Sequence, residues 1–404
     1  LRSGTPKPIA DKKVYTLLIT ANRVCLPDGR YIAYREEGVS ASIARHSVLV
    51  VHSFLSSRLA GIPGIKHSLL EEFGVRLVTY DLPGFGQSDP HSDRNFTSSA
   101  LDMKYIADVL GLGEKFWVIG HSGGGIHVWA ALRYIPERLA GAALVAPMGN
   151  PYDPNMSKDE ISRIWEKWTL RRKLGFILAK RASYFLPFFY KLRLLKKIDR
   201  PDKALSFTLG KKDGALTEEE FFIDFQLKDM EESIRQDILT PFIEEITLQV
   251  NQWGFSLADL QIRKKKMKGF RAWFHSLFNE VHEEWEGFLG PIHIWQGMDD
   301  RVVPYPFNDF AKRMVPGATL HKLIGEGHFS YLYFCDECHR EMFITLFGIP
   351  RGIVSSDPDP ESAHDPESVH DPEPAHDPES AHDPELAHDP EPAHDPESAE
   401  DGDL

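Results

Sequence analysis

Three stretches, far apart in the chain, carry side chains that together make acyl-transfer chemistry. Ser122 lies in Gly120-His121-Ser122-Gly123-Gly124, Asp300 in Gly297-Met298-Asp299-Asp300-Arg301-Val302-Val303-Pro304, and His328 in Gly325-Glu326-Gly327-His328-Phe329-Ser330. A serine hydroxyl is a poor nucleophile near neutral pH. A histidine must take its proton, and a carboxylate must fix the histidine tautomer and stabilise the imidazolium. The first stretch is G-x-S-x-G. A serine on a tight strand-to-helix turn brings the residues two before and two after it so close that a Cβ would collide, hence glycine there. Such a turn projects the Ser122 hydroxyl above the sheet. It also leaves the Gly123 N–H at a helix N-terminus, ready to hold an oxyanion. The second donor is expected from His52-Ser53-Phe54, at the Phe54 N–H. Asp300 is preferred as the acid, with Asp299 and Arg301 as solvated turn residues. Asp153, after the strand ending at Ala146, is the alternative acid. No cofactor or metal is expected for this chemistry.

These residues need a scaffold that delivers all three to one edge. Ser47–Val51 and Val75–Tyr80 are continuous apolar runs, as in strands buried on both faces. Phe116–Ile119 leads into the serine turn, and Leu139–Ala146, Pro291–Trp295 and Thr319–Leu323 are further strands. Val14–Val24 and Arg30–Arg35 form two strands around Pro27-Asp28-Gly29. Helices are expected to end at Phe73, to run over Thr97–Leu110 with Thr97 as N-cap, to follow the serine turn as far as Pro136, to begin at Pro304, and to span Tyr331–Phe347. Alternating strands and helices predict an α/β class with a mostly parallel sheet covered on both faces. In such sheets the carboxyl ends of the strands share one edge, where loops can converge. Strand signals vanish between about 148 and 287, which predicts an inserted helical unit between two parts of one core, 14–147 and 288–350.

The ordered set His52-x-Phe54, Asp81-x-Pro83-Gly84-x-Gly86-x-Ser88, Gly120-x-Ser122-x-Gly124, Gly297-x-x-Asp300-x-x-Val303-Pro304 and Gly327-His328 resembles the α/β-hydrolase fold proteins. The text from Tyr134 to Leu144 is similar to a plant group of these hydrolases whose substrates are mostly unassigned. The resemblance implies a helical lid over the site, formed by 148–287. It implies hydrolysis of a carboxylic ester, small or lipid-like. Some members of the fold are receptors or have lost activity, so an inactive ligand-binding scaffold is the alternative. Glycine is the usual residue after the histidine of the first motif, and Ser53 departs from it. Epoxide hydrolases and haloalkane dehalogenases of this fold carry aspartate where Ser122 stands. The H-x-x-x-x-D of its acyltransferases is absent, since Tyr333 stands five residues after His328.

The 404 residues carry a formal charge of −14, but 18 acidic residues and no Lys or Arg lie from Asp357 onward. Setting these aside leaves 46 basic against 42 acidic residues, a body of about +4. From Asp359 the hexapeptide D-P-E-[SPL]-[AV]-H recurs seven times, the last copy ending in Glu400 instead of His, which predicts a disordered tail over 351–404. Its six spaced histidines are expected to stay solvated, since a flexible chain loses entropy in closing a metal site. Three cysteines give no disulfide framework, which fits a reducing, intracellular setting. The chain begins at Leu1, which leaves room for an anchor or targeting segment ahead of it. Cys335-Asp-Glu-Cys338-His339 matches the haem-attachment string C-x-x-C-H. Inside an amphipathic helix it is expected to hold half-buried thiols rather than haem or zinc. Ile164–Lys197 mixes aromatic and basic residues, as do helices that lie against anionic membrane, although such aromatics also suit a pocket lining. Arg263–Lys268 is a basic run. No nucleic-acid motif accompanies these charges.

Overall fold

The computed structural model describes residues 21–194, 208–237, 239–265 and 283–350. The repeat tail, and the part of the expected first strand before Ala21, lie outside them. Eight strands form one sheet in the order β1-β2-β4-β3-β5-β6-β9-β10. β1 (Asn22–Cys25) and β2 (Tyr31–Gly38) are antiparallel, and β2 is antiparallel to β4 (Val75–Tyr80). The rest is parallel: β4, β3 (His46–Val51), β5 (Phe116–His121), β6 (Leu139–Val145), β9 (Ile292–Gly297) and β10 (Thr319–Leu323).

The apolar runs have a direct cause. Leu49 and Val51 enter one core with Val78, Val118, Leu144 and Ile294, whereas Val48 and Val50 enter the opposite core with Leu77, Ile119, Val145 and Trp295. With both faces buried, most positions are apolar. α1 (His67–Phe73), α2 (Phe96–Val109) and α3 (Gly124–Tyr134) connect the first strands. Thr97 does not cap α2. Asn95 does: its side chain accepts the Ser98 N–H at 3.0 Å, and the Ser98 hydroxyl accepts the Asn95 N–H at 3.0 Å. This reciprocal pair satisfies two donors, which Thr97 inside the first turn cannot.

Between β6 and β9 stand α4 (Lys158–Glu166), α5 (Leu170–Arg181), α6 (Leu186–Leu194), α7 (Lys211–Leu216), α8 (Glu220–Ser233) and α9 (Thr240–Val250). The stretch is not wholly helical. β7 (Gln261–Lys265) and β8 (Glu283–Gly287) pair antiparallel, with Lys264 opposite Glu284 and Lys265 opposite Glu283. The two strands form a short ribbon of their own. Its polarity hides it from a search for apolar alternation.

α10 spans Pro306–Met314, so Pro304 precedes the helix and Pro306 opens it. α11 runs from Asp336 to Phe347, later than the expected start at Tyr331, and Cys335 is its N-cap, with Sγ accepting the Cys338 N–H at 3.3 Å. Cys335 and Cys338 are joined as a disulfide with Cα atoms 5.2 Å apart, which corrects the expectation of two free thiols. His339 is buried, with Nε2 donating to the Leu332 carbonyl at 2.6 Å. No described helix is long and apolar enough to cross a membrane.

Candidate active site

Ser122 stands between β5 and α3 with φ +52°, in the left-handed region that non-glycine residues rarely adopt. The turn is held by Ser122 N–H to the Val145 carbonyl at 3.0 Å, and by Met148 N–H to the Ser122 carbonyl at 2.9 Å. A Cβ at Gly120 would lie 2.6 Å from the Gly124 carbonyl oxygen, and one at Gly124 would lie 2.2 Å from that of Val51. The glycines therefore stand where backbone passes backbone. The strain at Ser122 is of the order of 1–3 kcal/mol, held by these surroundings.

Asp300 and His328 meet. His328 Nδ1 lies 2.8 Å from Asp300 Oδ2, and both side chains are almost wholly buried. The other Asp300 oxygen accepts the N–H groups of Val302 at 2.8 Å and Val303 at 2.7 Å. An acceptor-only carboxylate on Nδ1 places the proton there and leaves Nε2 as the basic nitrogen. Asp299 lies on the outside, its Oδ2 accepting the Lys211 N–H at 2.8 Å and its Oδ1 3.5 Å from Arg301. Asp153 closes a turn by accepting the Asn155 N–H at 2.9 Å, and has no bond to His328.

The loop carrying His328 is held by groups that the sequence did not single out. Asp213 of α7, buried, accepts three consecutive N–H groups: His328 at 2.6 Å, Phe329 at 3.0 Å and Ser330 at 3.1 Å. A Cβ at Gly327 would lie 2.2 Å from an Asp213 carboxylate oxygen, so this glycine makes room for a carboxylate from the insert. Burial raises the Asp213 pKa, and the His328 and Phe329 N–H groups oppose that rise. His121 Nε2 donates to the His328 carbonyl at 3.0 Å. Burial first, and then His328 beside it, hold the His121 pKa well below its ordinary value, so it is a neutral donor. No local pattern signals Asp213, which is 115 residues away from its partner. His121 sits inside the serine motif, and an internal polar residue there needs a partner.

The loop after β3 completes the edge. His52 Nε2 accepts the Leu82 N–H at 2.9 Å, so its Nδ1 carries the proton and donates to the Ser53 carbonyl at 2.9 Å. Burial lowers its pKa to about 4. His52 is thus a neutral strut. Ser53 is accommodated without left-handed backbone; the strained residue of this loop is Leu55, at φ +52°. Ser53 and the buried Tyr333 line the same cavity. Asp229 of α8 accepts from Ser56 Oγ at 2.6 Å, Ser57 N–H at 2.9 Å and Ser57 Oγ at 2.7 Å. Burial pushes its pKa up to about 7, against the pull of those donors. Neither the Phe54 nor the Gly123 N–H donates to a group among the described residues.

Two further networks tie the insert to the core. Arg58 joins Asp81 at 2.5 Å and Glu232 of α8 at 2.7 Å. Glu245 of α9 meets Arg94 and His127. Burial would raise the Glu245 pKa, but Arg94 and His127 outweigh it and hold the carboxyl at about 2.

Ser122 and His328 line one open cavity, with Phe54 beside them. Phe176, Tyr190, Phe242 and Ile246 of the insert make much of it apolar. Arg172 also lines it, its guanidinium carbon 4.8 Å from the Trp168 ring centroid, and burial lowers its pKa to about 10. The Ser122 hydroxyl makes no hydrogen bond to His328 among the described contacts; the two groups meet only as walls of the cavity.

The model of the α/β hydrolase fold family matches residues 47–334. The chain belongs to that family. Among curated relatives, bifunctional epoxide hydrolase 2 of Sus scrofa is 33% identical over 95 residues, 23% of this chain and 17% of that protein. The probable oxidoreductase EphD of Mycobacterium tuberculosis is 30% identical over 167 residues, 40% of this chain and 27% of that protein. The matches thus span under a third of those relatives' length. Among solved structures, the esterase RhEst1 from Rhodococcus sp. ECU1013 is 16% identical, with 82% of this chain and 100% of that chain covered at a TM-score of 0.47. At that identity the likeness concerns the fold.

Proposed function

We propose that this α/β hydrolase is a serine hydrolase that cleaves a carboxylic ester through an acyl-enzyme. The observation that carries the reading is the buried His328–Asp300 pair, whose His328 lines the same cavity as a serine with a left-handed backbone. Ser122 Oγ attacks the ester carbonyl while His328 Nε2 takes its proton. The Phe54 and Gly123 N–H groups hold the tetrahedral oxyanion. Collapse breaks the bond to the alcohol, which leaves with the proton from His328. A water, deprotonated by His328, then attacks the acyl-enzyme and releases the acid. Asp300 keeps the imidazole oriented and stabilises its cation. Serine at position 122 favours an ester over an epoxide, whose hydrolases in this fold attack through aspartate. The apolar insert side chains favour an apolar acyl or alcohol group, with 148–287 acting as the lid.

One observation favours the rival reading, a ligand-binding scaffold: the Ser122 hydroxyl is not bonded to His328. Apo enzymes often tighten that bond only with substrate present. A fluorophosphonate probe separates the two. Labelling of the wild type that is lost in both Ser122→Ala and His328→Ala is expected. A folded wild type that takes no label would refute the hydrolase.

A further inference from the structure

The insert carries an apolar face that the cavity does not use. Leu170, Leu174 and Ile177 recur at helical spacing along α5 and are 81%, 42% and 38% exposed. The opposite side of the same helix buries Phe176 and Ala179. Tyr184 and Phe185, in the turn that follows, are 75% and 50% exposed, and Phe188 in α6 is 73% exposed. Fifteen large apolar residues are exposed among those described, and six of them fall within these 19 residues. The others are scattered, as single exposed apolar residues usually are.

The charge around this face has one sign. From Lys167 to Leu194 the sequence contains no Asp or Glu and eight Lys and Arg. Lys167, Arg171, Arg181 and Lys191 are exposed, and none makes an ion pair among the described residues. The same two helices turn Arg172, Phe176 and Tyr190 into the cavity that holds Ser122. The outer face and the cavity wall are therefore two sides of one layer.

We propose that this face docks on the surface of an anionic lipid bilayer, and that α5 and α6 bring the mouth of the cavity to that surface. Apolar side chains ringed by cations suit the boundary between headgroups and acyl chains. The acidic tail matches the charge but offers little to an apolar face, since its repeat is Asp, Pro, Glu, Ser, Ala and His apart from single Leu and Val residues. A bilayer matches both. Joined to the hydrolase reading, on which this further step rests, docking names the substrate class as a membrane-resident acyl ester.

The test uses the full chain carrying Ser122→Ala, so that binding is read without turnover and its failure says nothing about hydrolysis. Co-sedimentation is expected with phosphatidylcholine vesicles containing 30 mol% phosphatidylserine at low salt. It should fall several-fold with phosphatidylcholine alone or in 0.5 M NaCl. Leu170→Asp with Phe188→Asp should lose at least tenfold, and Arg171→Glu with Arg181→Glu roughly fivefold per residue. Both pairs should keep the parent's melting temperature and, in the Ser122 background, its fluorophosphonate labelling. No sedimentation with anionic vesicles at low salt would overturn the proposal. So would a concentration-dependent dimer abolished by the Leu170/Phe188 pair, since a second copy would then cover the face.

Discussion

Asp213→Asn is the sharpest probe of how the base is held. One carboxylate oxygen accepts Phe329 and Ser330, and the other accepts His328 at 2.6 Å. In the asparagine variant the amide oxygen can keep the first two bonds. Its NH₂ group then faces the His328 N–H, donor against donor. One bond to a charged acceptor, about 1.5–3 kcal/mol, is lost, and a buried N–H is left without a partner at about 1–3 kcal/mol. At the lower ends of the two ranges the cost comes to about 2.5 kcal/mol. If that cost is taken as misplacement of the imidazole, the reaction with Ser122 slows roughly 70-fold. The assay is the rate of fluorophosphonate labelling per folded molecule, with the folded fraction taken from circular dichroism at each temperature. For an ester substrate the loss should fall on kcat, with KM little changed. Labelling at the wild-type rate in a folded Asp213→Asn protein would refute the reasoning. A lower melting temperature with an unchanged rate per folded molecule would refute it too, since Asp213 would then serve the fold alone.

Asp300→Asn should cost roughly 10³–10⁴-fold in labelling rate, because an amide lets the imidazole take the wrong tautomer, while melting shifts little; a loss under tenfold would remove Asp300 from the mechanism. Gly124→Ala places a Cβ 2.2 Å from the Val51 carbonyl oxygen, so more than about 3 kcal/mol of stability should be lost in urea denaturation. Asp229, raised from 3.8 to about 7, favours a protonated native state, so its contribution is fully present below pH 3.8 and is lost as pH rises through about 7. Stability measured from pH 5 to 8 should therefore fall more steeply in the wild type than in Asp229→Asn, by at most about 1.4 kcal/mol per pH unit, and parallel curves would contradict the assignment.

What the sequence disclosed follows from range. The strands are legible because burial on both faces forces uninterrupted apolar runs such as Ser47–Val51. The serine turn is legible because its steric demand acts within five residues. The aspartate and histidine loops were found by order along the chain, and the structure places Asp300 and His328 together. What stayed hidden depends on partners distant in sequence. Asp213 and Asp229 look like ordinary helix-surface acids until the loops at 328–330 and 56–57 close on them. The ribbon of β7 and β8 lacks apolar alternation, so periodicity does not reveal it. Tyr331–Phe334 is apolar enough to pass for a helical turn, so the sequence alone places the start of α11 too early. Cys335 and Cys338 then read as lying within that helix, whereas Cys335 caps it.

The contact between Asp213 and the loop at His328 also bears on when the site comes into existence. On the ribosome Ser122 emerges about 200 residues before His328, and its turn rests on neighbours made early, Val51 and Val145. In the proposed mechanism the base needs Asp300 after β9, its own loop after β10 and the docked insert together. On that mechanism, a chain in which these parts have not met carries a serine with no base to activate it. Reactivity toward an electrophilic probe becomes a report of completed assembly, and the labelled fraction counts molecules in which three separately synthesised parts have found one another.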